Sequence, residues 1–436
     1  MSSYLLCSSP IYGHIAPMLT IGRRLVQRGD IVTVLTGRKY RDAVEAGGMV
    51  FRPLPDAVDY DDANLDRWLP GREGRTGLDA VRFDLIGMFG RVIPDQYRAV
   101  EAALAEGRYD AIVAEGAFTG VLPKLLKEPA GTRLPIIGIS ALPVTLTSVD
   151  TAPFGPAMQP GRGPVARLRN RMLNRLVHSG PLKPIQTTVD AALAEVGAPP
   201  APGNFFDFPS MFDHTIQLSA SGLEYPRRET PSTLRFVGPL RPEAGAATDV
   251  PEWWGDLDGT TPVVHVTQGT IDNLDFERLV APTIRALAGE DVLVVATTGG
   301  RDVEPLLAAF GGDLPANARI GRFLPYGELL PRCSVLVTNG GFGGVQQALG
   351  FGVPLVVAGA TEDKPEVAAR VAWSGAGIEL RTGDPKPERI RRAVLALLAD
   401  PAYRAAARRL QAELRALPDP IDVIVETLEQ AARTHA

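Results

Sequence analysis

The chain has 436 residues, of which 45% are hydrophobic and 22% charged, and its formal net charge is −5. This length exceeds the size at which one hydrophobic core usually keeps growing, so it predicts two domains. The negative charge argues against a nucleic-acid partner, because nucleic-acid-binding proteins normally present a basic face. No apolar run of the sequence approaches the roughly 20 residues that cross a bilayer, and we therefore expect a cytoplasmic protein.

The cysteine and histidine content indicates neither a disulfide framework nor a metal centre. Cys7 and Cys333 lie in or beside strand-like segments that are far apart in the sequence. Two such residues do not form a disulfide pattern or a zinc spacing, and we interpret both as small buried hydrophobic side chains. No cluster of histidine, cysteine and carboxylate residues is evident in the sequence. We expect no metal and no resident cofactor.

The first half of the chain alternates short apolar runs with helical patterns. The opening run YLLCSS is followed by a glycine-containing turn, a helical pattern and the run DIVTVLTG, which is typical of a βαβ unit. Runs at YDAIVAE and LPIIGIS are typical of buried parallel strands. The periodicity breaks down between about residues 149 and 209, which indicates a variable insertion.

The most basic stretch of the chain lies inside this insertion, from Arg162 to Arg175. It fits either an amphipathic helix on a membrane surface or a solvated helix over an active site. Short basic runs are common on soluble helices, so we favour the solvated helix and expect no stable membrane insertion.

The second half repeats the alternation of strands and helices. Residues 219–248 are rich in proline, glycine and polar residues and carry one strand-like piece, LRFVG. We place the interdomain linker there, between a first domain at 1–218 and a second at 249–415. The second domain is predicted to be doubly wound. Its strand-like runs are PVVHVTQGT, DVLVVATTG, ARIGRFL, SVLVTNGG, VPLVVAG and AGIEL.

Two candidate catalytic residues follow strands of the first domain. Open parallel sheets bind ligands at the carboxyl ends of their strands. His14 comes just after the first strand, and Glu115 ends the strand AIVAE. A histidine can accept a proton near neutral pH, and a neighbouring carboxylate can fix its tautomer. The alternatives are that His14 bonds a backbone group and that Glu115 only caps a helix.

A glycine-rich turn that opens a helix is the strongest local signal. It is TNGGFGGVQQALGFG, and a second turn, Thr267-Gln-Gly-Thr270, follows another strand. Glycines let the backbone approach a phosphate, and a helix N-terminus offers free amides. The alternative is a tight structural turn. The nucleotide-binding signatures of classical dehydrogenases and P-loop enzymes are missing from the sequence.

In chain order, these motifs resemble those of the UDP-sugar-dependent small-molecule glycosyltransferases, especially the bacterial macrolide type. The resemblance covers nearly the full length and rests on Gly13-His14, the TQGT turn, and a donor signature that runs from Phe323 through Asn339 to Glu362-Asp363. It implies the GT-B fold, in which two Rossmann-like domains face each other across a cleft. It also implies that a last helix, at residues 416–436, crosses back to the first domain.

The resemblance further implies a metal-independent, inverting transfer of a sugar to an acceptor hydroxyl. The default donor is UDP-glucose, with a dTDP-sugar as the alternative. His14 matches the general base and Glu115 the carboxylate that orients it. The donor positions are Thr270, Asn339, Gly343 and Gly344 at the diphosphate, Phe323 and Leu324 at the nucleobase, Gln347 at the ribose, and Glu362 and Asp363 at the sugar hydroxyls.

An apolar acceptor pocket is expected near the cleft loops, although the same side chains could belong to the core. The expected acceptor residues are Ile11, Tyr12, Phe118, Leu142 and Val144.

Four sites depart from the family pattern. Asn339 replaces a histidine, Gln347 a glutamate, Glu362-Asp363 an Asp-Gln pair, and Glu115 an aspartate. Each replacement can still hydrogen-bond, which favours an altered donor over an inactive site. Two other functions stay open at this point: a non-catalytic partner protein with the same fold, and a nucleotide-sugar epimerase. The sequence does not indicate an oligomeric state.

Overall fold

The computed structural model describes residues 1–75, 77–241, 250–270 and 273–435, in which the strands form two parallel sheets. The first sheet contains β1 (Ser3–Cys7), β2 (Ile31–Thr36), β3 (Val50–Pro53), β4 (Ala111–Glu115), β5 (Ile136–Ser140), β6 (His214–Gln217) and β7 (Leu234–Phe236). The second contains β8 (Val263–Thr267), β9 (Leu293–Thr297), β10 (Ala318–Gly321), β11 (Cys333–Thr338), β12 (Leu355–Val357) and β13 (Gly377–Glu379). The strand orders are β3-β2-β1-β4-β5-β6-β7 and β10-β9-β8-β11-β12-β13.

Helices connect the strands and cover both sheets. In the first half they are α1 (Tyr12–Gln27), α2 (Arg41–Ala46), α3 (Leu65–Trp68), α4 (Gly77–Leu85), α5 (Ile93–Glu106), α6 (Leu122–Lys127), α7 (Gly163–Ser179) and α8 (Lys183–Glu195). In the second half they are α9 (Val280–Leu287), α10 (Glu304–Ala308), α11 (Tyr326–Leu329), α12 (Phe342–Gly350), α13 (Lys364–Ser374), α14 (Pro387–Ala399), α15 (Pro401–Ala416) and α16 (Pro420–His435). Among the described helices, none combines the length and the apolar character needed to span a membrane.

Each sheet has a hydrophobic core on both of its faces. Successive residues of a strand point to opposite faces, so Leu6 packs with Ile15 of α1 while Leu5 packs with Val100 of α5. Strands that are buried on both faces read as continuous apolar runs, which is why the sequence showed them without alternation. The prediction of two doubly wound domains is confirmed.

The last helix, α16, belongs to the core of the first sheet. Asp419 begins this helix by accepting a hydrogen bond from the backbone of Ile421, which satisfies one of the free amides of the first turn. Ile421, Ile424 and Leu428 lie on one helical face and are buried with side chains of α1 and β1. Full burial of such a side chain contributes about 1.5–3 kcal/mol. α16 therefore returns to the domain that contains β1.

The segment between the domains is more structured than a simple linker. β7 pairs in parallel with β6, with Thr215 opposite Leu234, so the first sheet extends well beyond residue 218. Ala220 and Leu223 pack in the core of the second domain. The strand-like piece LRFVG, which we expected in the linker, is thus an edge strand of the first sheet. Residues 242–248 of the predicted linker lie outside the described residues.

Both sheets reverse their strand order near the centre. In the first sheet β1 neighbours β4, with Cys7 opposite Ala114. In the second β8 neighbours β11, with Thr267 opposite Thr338. The loops that follow two such strands diverge and leave a crevice, which is where open α/β sheets bind ligands. The predicted catalytic residues His14 and Glu115 lie at the crevice of the first sheet.

Candidate active site

His14 and Glu115 meet at the crevice of the first sheet. His14 lies in the first turn of α1, just beyond the end of β1, and Glu115 is the last residue of β4. Nδ1 of His14 is 2.6 Å from Oε1 of Glu115. The same oxygen accepts a hydrogen bond of 2.5 Å from the backbone N–H of Ala117, which holds the carboxylate in place. A carboxylate at Nδ1 favours the tautomer in which Nε2 carries the free electron pair.

The charges around His14 favour its protonated form. Burial alone would lower the pKa of His14, but the charge and hydrogen bond of Glu115 outweigh burial and raise this pKa above its usual value. The charges of Asp363 and Glu362, in the second domain, raise the pKa of His14 further. Such an environment stabilises the imidazolium that forms when a histidine takes up a proton.

A small cavity that is open to solvent lies beside His14. Its apolar lining includes Met18, Ile139 and Leu142, and Gly13 contributes backbone. A small pocket with apolar walls and a single base suits one end of an apolar molecule that carries a hydroxyl.

Three of the predicted acceptor residues lie near this region. Leu142 lines the cavity itself. Ile11 is half-buried against the small cluster around Tyr60 and Met88, and the Tyr12 side chain is 50% exposed. Ile11 therefore lies beside the segment that follows β3, and a role of these residues in acceptor binding stays a prediction.

Phe118 and Val144 do not line this cavity, contrary to expectation. The turn after β4 folds the Phe118 ring beneath the sheet, where it is fully buried in the same core as Leu5. The Val144 side chain is buried too, and its backbone N–H donates to Glu224 while its carbonyl accepts from Arg370. Both residues have structural positions, and Val144 lies at the junction of the two domains.

Asn339 ties together the two loops at the crevice of the second sheet. Its Nδ2 donates to the carbonyl oxygen of Gln268 at 2.5 Å, and its Oδ1 accepts a longer bond of 3.4 Å from the N–H of Gly341. The TQGT turn is thereby held against the glycine-rich turn. Thr270 is exposed at the end of the TQGT turn. Gly340 has φ 92°, a left-handed conformation that only glycine adopts without strain.

The first turn of α12 is open to a ligand. A Cβ atom added at Gly343 or Gly344 would meet no described atom within 4 Å. All of α12 is described, and its first turn contains no acidic residue. Free amides and the positive end of the helix dipole suit a phosphate group. Gln347 follows one turn later and is half-buried.

Phe323 presents a flat aromatic face to solvent. Its side chain is 64% exposed, whereas the next residue, Leu324, is buried. The ring lies against Gly300, where an added Cβ would come within 2.6 Å of ring carbons. Glycine therefore supports the ring from one side and leaves the other side free, an arrangement on which a nucleobase can stack.

Glu362 and Asp363 form a strained corner just before α13. Glu362 has φ 56°, which is uncommon for a residue other than glycine, and its carboxylate pairs with Lys364 at 2.6 Å. Oδ2 of Asp363 is buried and finds no hydrogen-bond partner within the described chain. Burial, together with the charge of Glu362, raises the pKa of Asp363 to about 6. Backbone strain and an unsatisfied acceptor are features of ligand sites.

A buried ion network that the sequence did not reveal joins the two domains beside this corner. Arg370 of α13 donates to Glu224 at 2.8 Å and to Glu366 at 2.7 Å. Glu366 also accepts the backbone N–H groups of Gly155 and Ala157, at 2.7 and 2.8 Å. The helix that follows Asp363 therefore holds the loop before α7. Arg370 and Glu224 are 146 residues apart, so no local pattern could have paired them.

Tyr60 is a second residue that the sequence analysis missed. Burial raises its pKa well above the usual value, and the charge of Glu115 raises it further. Its hydroxyl and Oε2 of Glu115 both have no hydrogen-bond partner among the residues described. Its ring stacks on Trp68 with centroids 4.2 Å apart.

No group of three or more metal-ligating side chains occurs in the described ranges.

The fold is shared with a solved glycosyltransferase. The crystal structure of a calicheamicin glycosyltransferase aligns with a TM-score of 0.71, covering 99% of this chain and 98% of that chain at 22% identity. Two facing doubly wound domains with ligand-binding loops at their crevices define the GT-B class, as the sequence predicted.

Sequence comparisons give the family. Residues 286–430 match the family described as erythromycin biosynthesis protein CIII-like, C-terminal domain. The 4'-demethylrebeccamycin synthase of Lentzea aerocolonigenes is 39% identical over 422 residues, which cover 96% of this chain and 97% of that protein. UDP-glycosyltransferase 2 of Phaeomoniella chlamydospora is 34% identical over 445 residues, covering 98% and 95%. The chain belongs to the natural-product glycosyltransferases of family 1, and it is an enzyme of that class.

Proposed function

We propose that this enzyme transfers a sugar from a nucleoside diphosphate donor to a hydroxyl of a largely apolar natural product, with inversion at the sugar. The observation that carries the proposal is the contact of 2.6 Å between His14 and Glu115 beside an apolar cavity. The names of the two relatives support a natural-product acceptor and a UDP-sugar donor. UDP-glucose is the default donor.

In the proposed step, Nε2 of His14 takes the proton of the acceptor hydroxyl while the hydroxyl oxygen attacks the anomeric carbon. The bond from that carbon to the diphosphate oxygen breaks, and the nucleoside diphosphate leaves with the electron pair. Attack opposite the leaving group inverts the anomeric configuration. Glu115 stabilises the imidazolium, which then releases its proton to solvent.

The proposed donor site follows the loops of the second domain. The open amides of Gly343 and Gly344, with the hydroxyl of Thr270, would receive the diphosphate. Asn339 keeps the two turns together, and the exposed ring of Phe323 would stack on the base while the backbone of Leu324 bonds its edge. Gln347 would reach the ribose. Glu362 and Asp363 would bind sugar hydroxyls, which supply the donors that Asp363 lacks.

His14→Ala tests the base directly. Transfer should fall by about 10²–10⁴-fold, the usual contribution of general-base catalysis. Nucleotide affinity should stay unchanged, because the proposed donor residues belong to the other domain. Glycoside formation is followed by mass spectrometry with phenolic and macrolide acceptors, and affinity by calorimetry with UDP and dTDP. Unaltered turnover in the variant would rule out His14 as the base.

His214→Ala is the matched control. His214 is the first residue of β6, so it lies at the amino ends of the parallel strands, whereas His14 lies at their carboxyl ends. It should transfer sugar like the wild-type enzyme. The same assays, with the wild-type enzyme, separate the two alternative functions, which are a nucleotide-sugar epimerase and a non-catalytic partner protein. A changed donor sugar without any glycoside would indicate an epimerase, and nucleotide binding without any reaction would indicate a non-catalytic partner protein.

A further inference from the structure

Helix α7 buries polar side chains and exposes apolar ones. Asn170 is completely buried and Asn174 nearly so, and their side-chain amides donate to carbonyl oxygens of residues 148–151 at 3.0–3.3 Å. The outer side carries exposed large apolar residues, which are Val165, Leu168, Met172 and Leu176. A surface helix of a globular protein normally has the reverse arrangement. Two asparagines, and not an apolar face, therefore anchor α7.

The exposed apolar residues of α7 form one stripe. They follow one another at intervals of three, four and four residues, which places them on a single helical face. Their exposures run from 56% to 82%. Of the thirteen exposed large hydrophobic side chains in the described residues, four are on this one helix. Single exposed apolar residues are ordinary, but an aligned set of this kind marks an interaction surface.

Arginines border the stripe, and the helix itself has no acidic residue; Arg167, which lies away from the stripe, pairs with Asp150 at 3.2 Å. The helix contains four arginines and neither aspartate nor glutamate, although the whole chain has a net charge of −5. With about 100° between successive residues of a helix, Arg171 and Arg175 lie on one side of the stripe and Arg169 on the other. Arg171 and Arg175 are exposed, and their guanidinium groups have no partner in the part of the chain that the structure describes.

The sequence favoured a solvated helix here, but the exposed apolar stripe changes that choice, and we propose that α7 docks this enzyme on an anionic membrane surface. The apolar stripe enters the headgroup region, and Arg171 and Arg175 bind lipid phosphates. An amphipathic helix of low overall hydrophobicity, with arginines beside an apolar stripe, is the pattern that binds in the plane of an interface. A second copy of the chain fits this surface poorly, because pairing two stripes would bring uncompensated arginines of like charge together.

The position of α7 gives this docking a use. Residues 148–151, which hold its asparagines, belong to the segment after β5, and Ile139 and Leu142 near the end of that strand line the cavity beside His14. A membrane on α7 therefore lies close to the acceptor side of the cleft, and an apolar acceptor dissolved in the lipid has a short path to the base. This use rests on the proposed function, whereas the docking does not.

Vesicle sedimentation of the purified full-length protein tests the docking. The protein should sediment with vesicles of phosphatidylcholine and phosphatidylserine, less at higher salt, and only weakly with phosphatidylcholine alone. Arg171→Gln with Arg175→Gln should weaken binding by about fivefold for each arginine. Leu168→Ser, Met172→Ser and Leu176→Ser together should weaken it by more than about tenfold. Each variant should keep its melting temperature and its activity on a water-soluble acceptor without vesicles.

Arg408→Gln with Arg415→Gln on α15 is the matched control, since both side chains are exposed while the apolar face of that helix is buried. It removes the same charge and should bind vesicles like the wild-type protein. Absence of wild-type binding to the anionic vesicles would overturn the proposal, as would an equal loss in the control. A dimer in light scattering that the serine variant converts to a monomer would assign the stripe to a second copy instead. If the wild-type enzyme transfers no sugar to any soluble acceptor, that result counts against the proposed function and not against docking.

Discussion

The two sides of the cleft differ in how complete they are without a ligand. On the first domain, His14 and Glu115 already make their contact and the backbone holds one carboxylate oxygen, while Oε2 of Glu115 alone of that pair has no hydrogen-bond partner among the described residues. On the second domain, Asp363 has an unsatisfied buried oxygen, the start of α12 at Gly343 is open, and the Phe323 ring is exposed. The protein itself orients the base, whereas the donor side has groups that a ligand would satisfy. Preorganised charge is what catalysis requires, and unsatisfied polar groups give binding its specificity.

The largest expected effect comes from breaking the preassembled side with Glu115→Gln. Transfer should fall by about 10²–10⁴-fold, because the imidazolium loses its counter-charge. Burial lowers the pKa of His14 and the charge of Glu115 raises it, so the pKa of His14 should fall when this charge is removed. The base acts when it is deprotonated, so the acidic limb of the pH profile of kcat/KM should move to lower pH. A limb that stays in place would show that Glu115 does not set this pKa.

Asp363→Asn tests whether the donor side is strained in the absence of a ligand. The pKa of Asp363 is raised from its ordinary value to about 6 in the folded protein, so ionisation of this carboxyl opposes folding by an amount that grows between about pH 4 and pH 6. The variant should be more stable than wild type by roughly 1–2 kcal/mol at pH 8, with the difference shrinking toward pH 5. Transfer should fall about tenfold or more, because the neutral amide accepts a weaker hydrogen bond from a sugar hydroxyl than the carboxylate does.

Thermal unfolding at pH 8 and pH 5 measures the stability of both proteins, and initial rates of transfer measure their activity. Asp384→Asn is the control, because Asp384 is exposed in the same domain. Equal stability of wild type and Asp363→Asn at pH 8 would contradict the argument.

Two glycines of one helix provide a sharper test of the open diphosphate site. Gly343 lies in the first turn of α12 and Gly350 at its end, and in both cases an added Cβ would meet no described atom within 4 Å. Alanine should favour the helix at both positions by about 0.5–1 kcal/mol. Only Gly343→Ala should weaken nucleoside diphosphate binding, by roughly tenfold, because its methyl group overlaps the ligand. Equal affinities in calorimetry would place the diphosphate elsewhere.

The smallest expected effect concerns the exposed ring of the donor side. Phe323→Ala should weaken nucleotide affinity by about threefold to tenfold, the usual range for an aromatic stacking contact. Phe323→Tyr keeps the ring and should bind like wild type. Calorimetry with UDP and dTDP measures both variants, and an unchanged dissociation constant for the alanine variant would remove Phe323 from the donor site.

The sequence predicted the second sheet more completely than the first. Every strand of the second sheet coincides with a strand-like run of the sequence, and the central strands β8, β9, β11 and β12 are covered on both faces. In the first sheet, β3 and β6 are short and contain polar residues, and neither was predicted. β7 was assigned to the linker, since an edge strand is defined by a partner that the local sequence does not show.

Part of the candidate site could also be predicted. His14 and Glu115 were expected to meet because both follow neighbouring parallel strands, and they do. Phe118 also follows a strand, but the direction in which its ring turns depends on packing beneath the sheet. The partners of Arg370 come from a distant segment and are set by the way in which the domains pack. Position at a strand end is therefore readable from sequence, whereas side-chain direction is not.

The return of α16 to the first domain has a consequence for synthesis on the ribosome. Domains that are contiguous in the chain fold as they emerge, the first one before the second. Here Ile424 and Leu428 are buried in the core around Ile15, so the first domain completes its core only after the second domain and α16 have been synthesised. The second domain is synthesised later than most of the first, but all segments of its two cores emerge before α16 does. The domain that carries the proposed base is thus the last to mature.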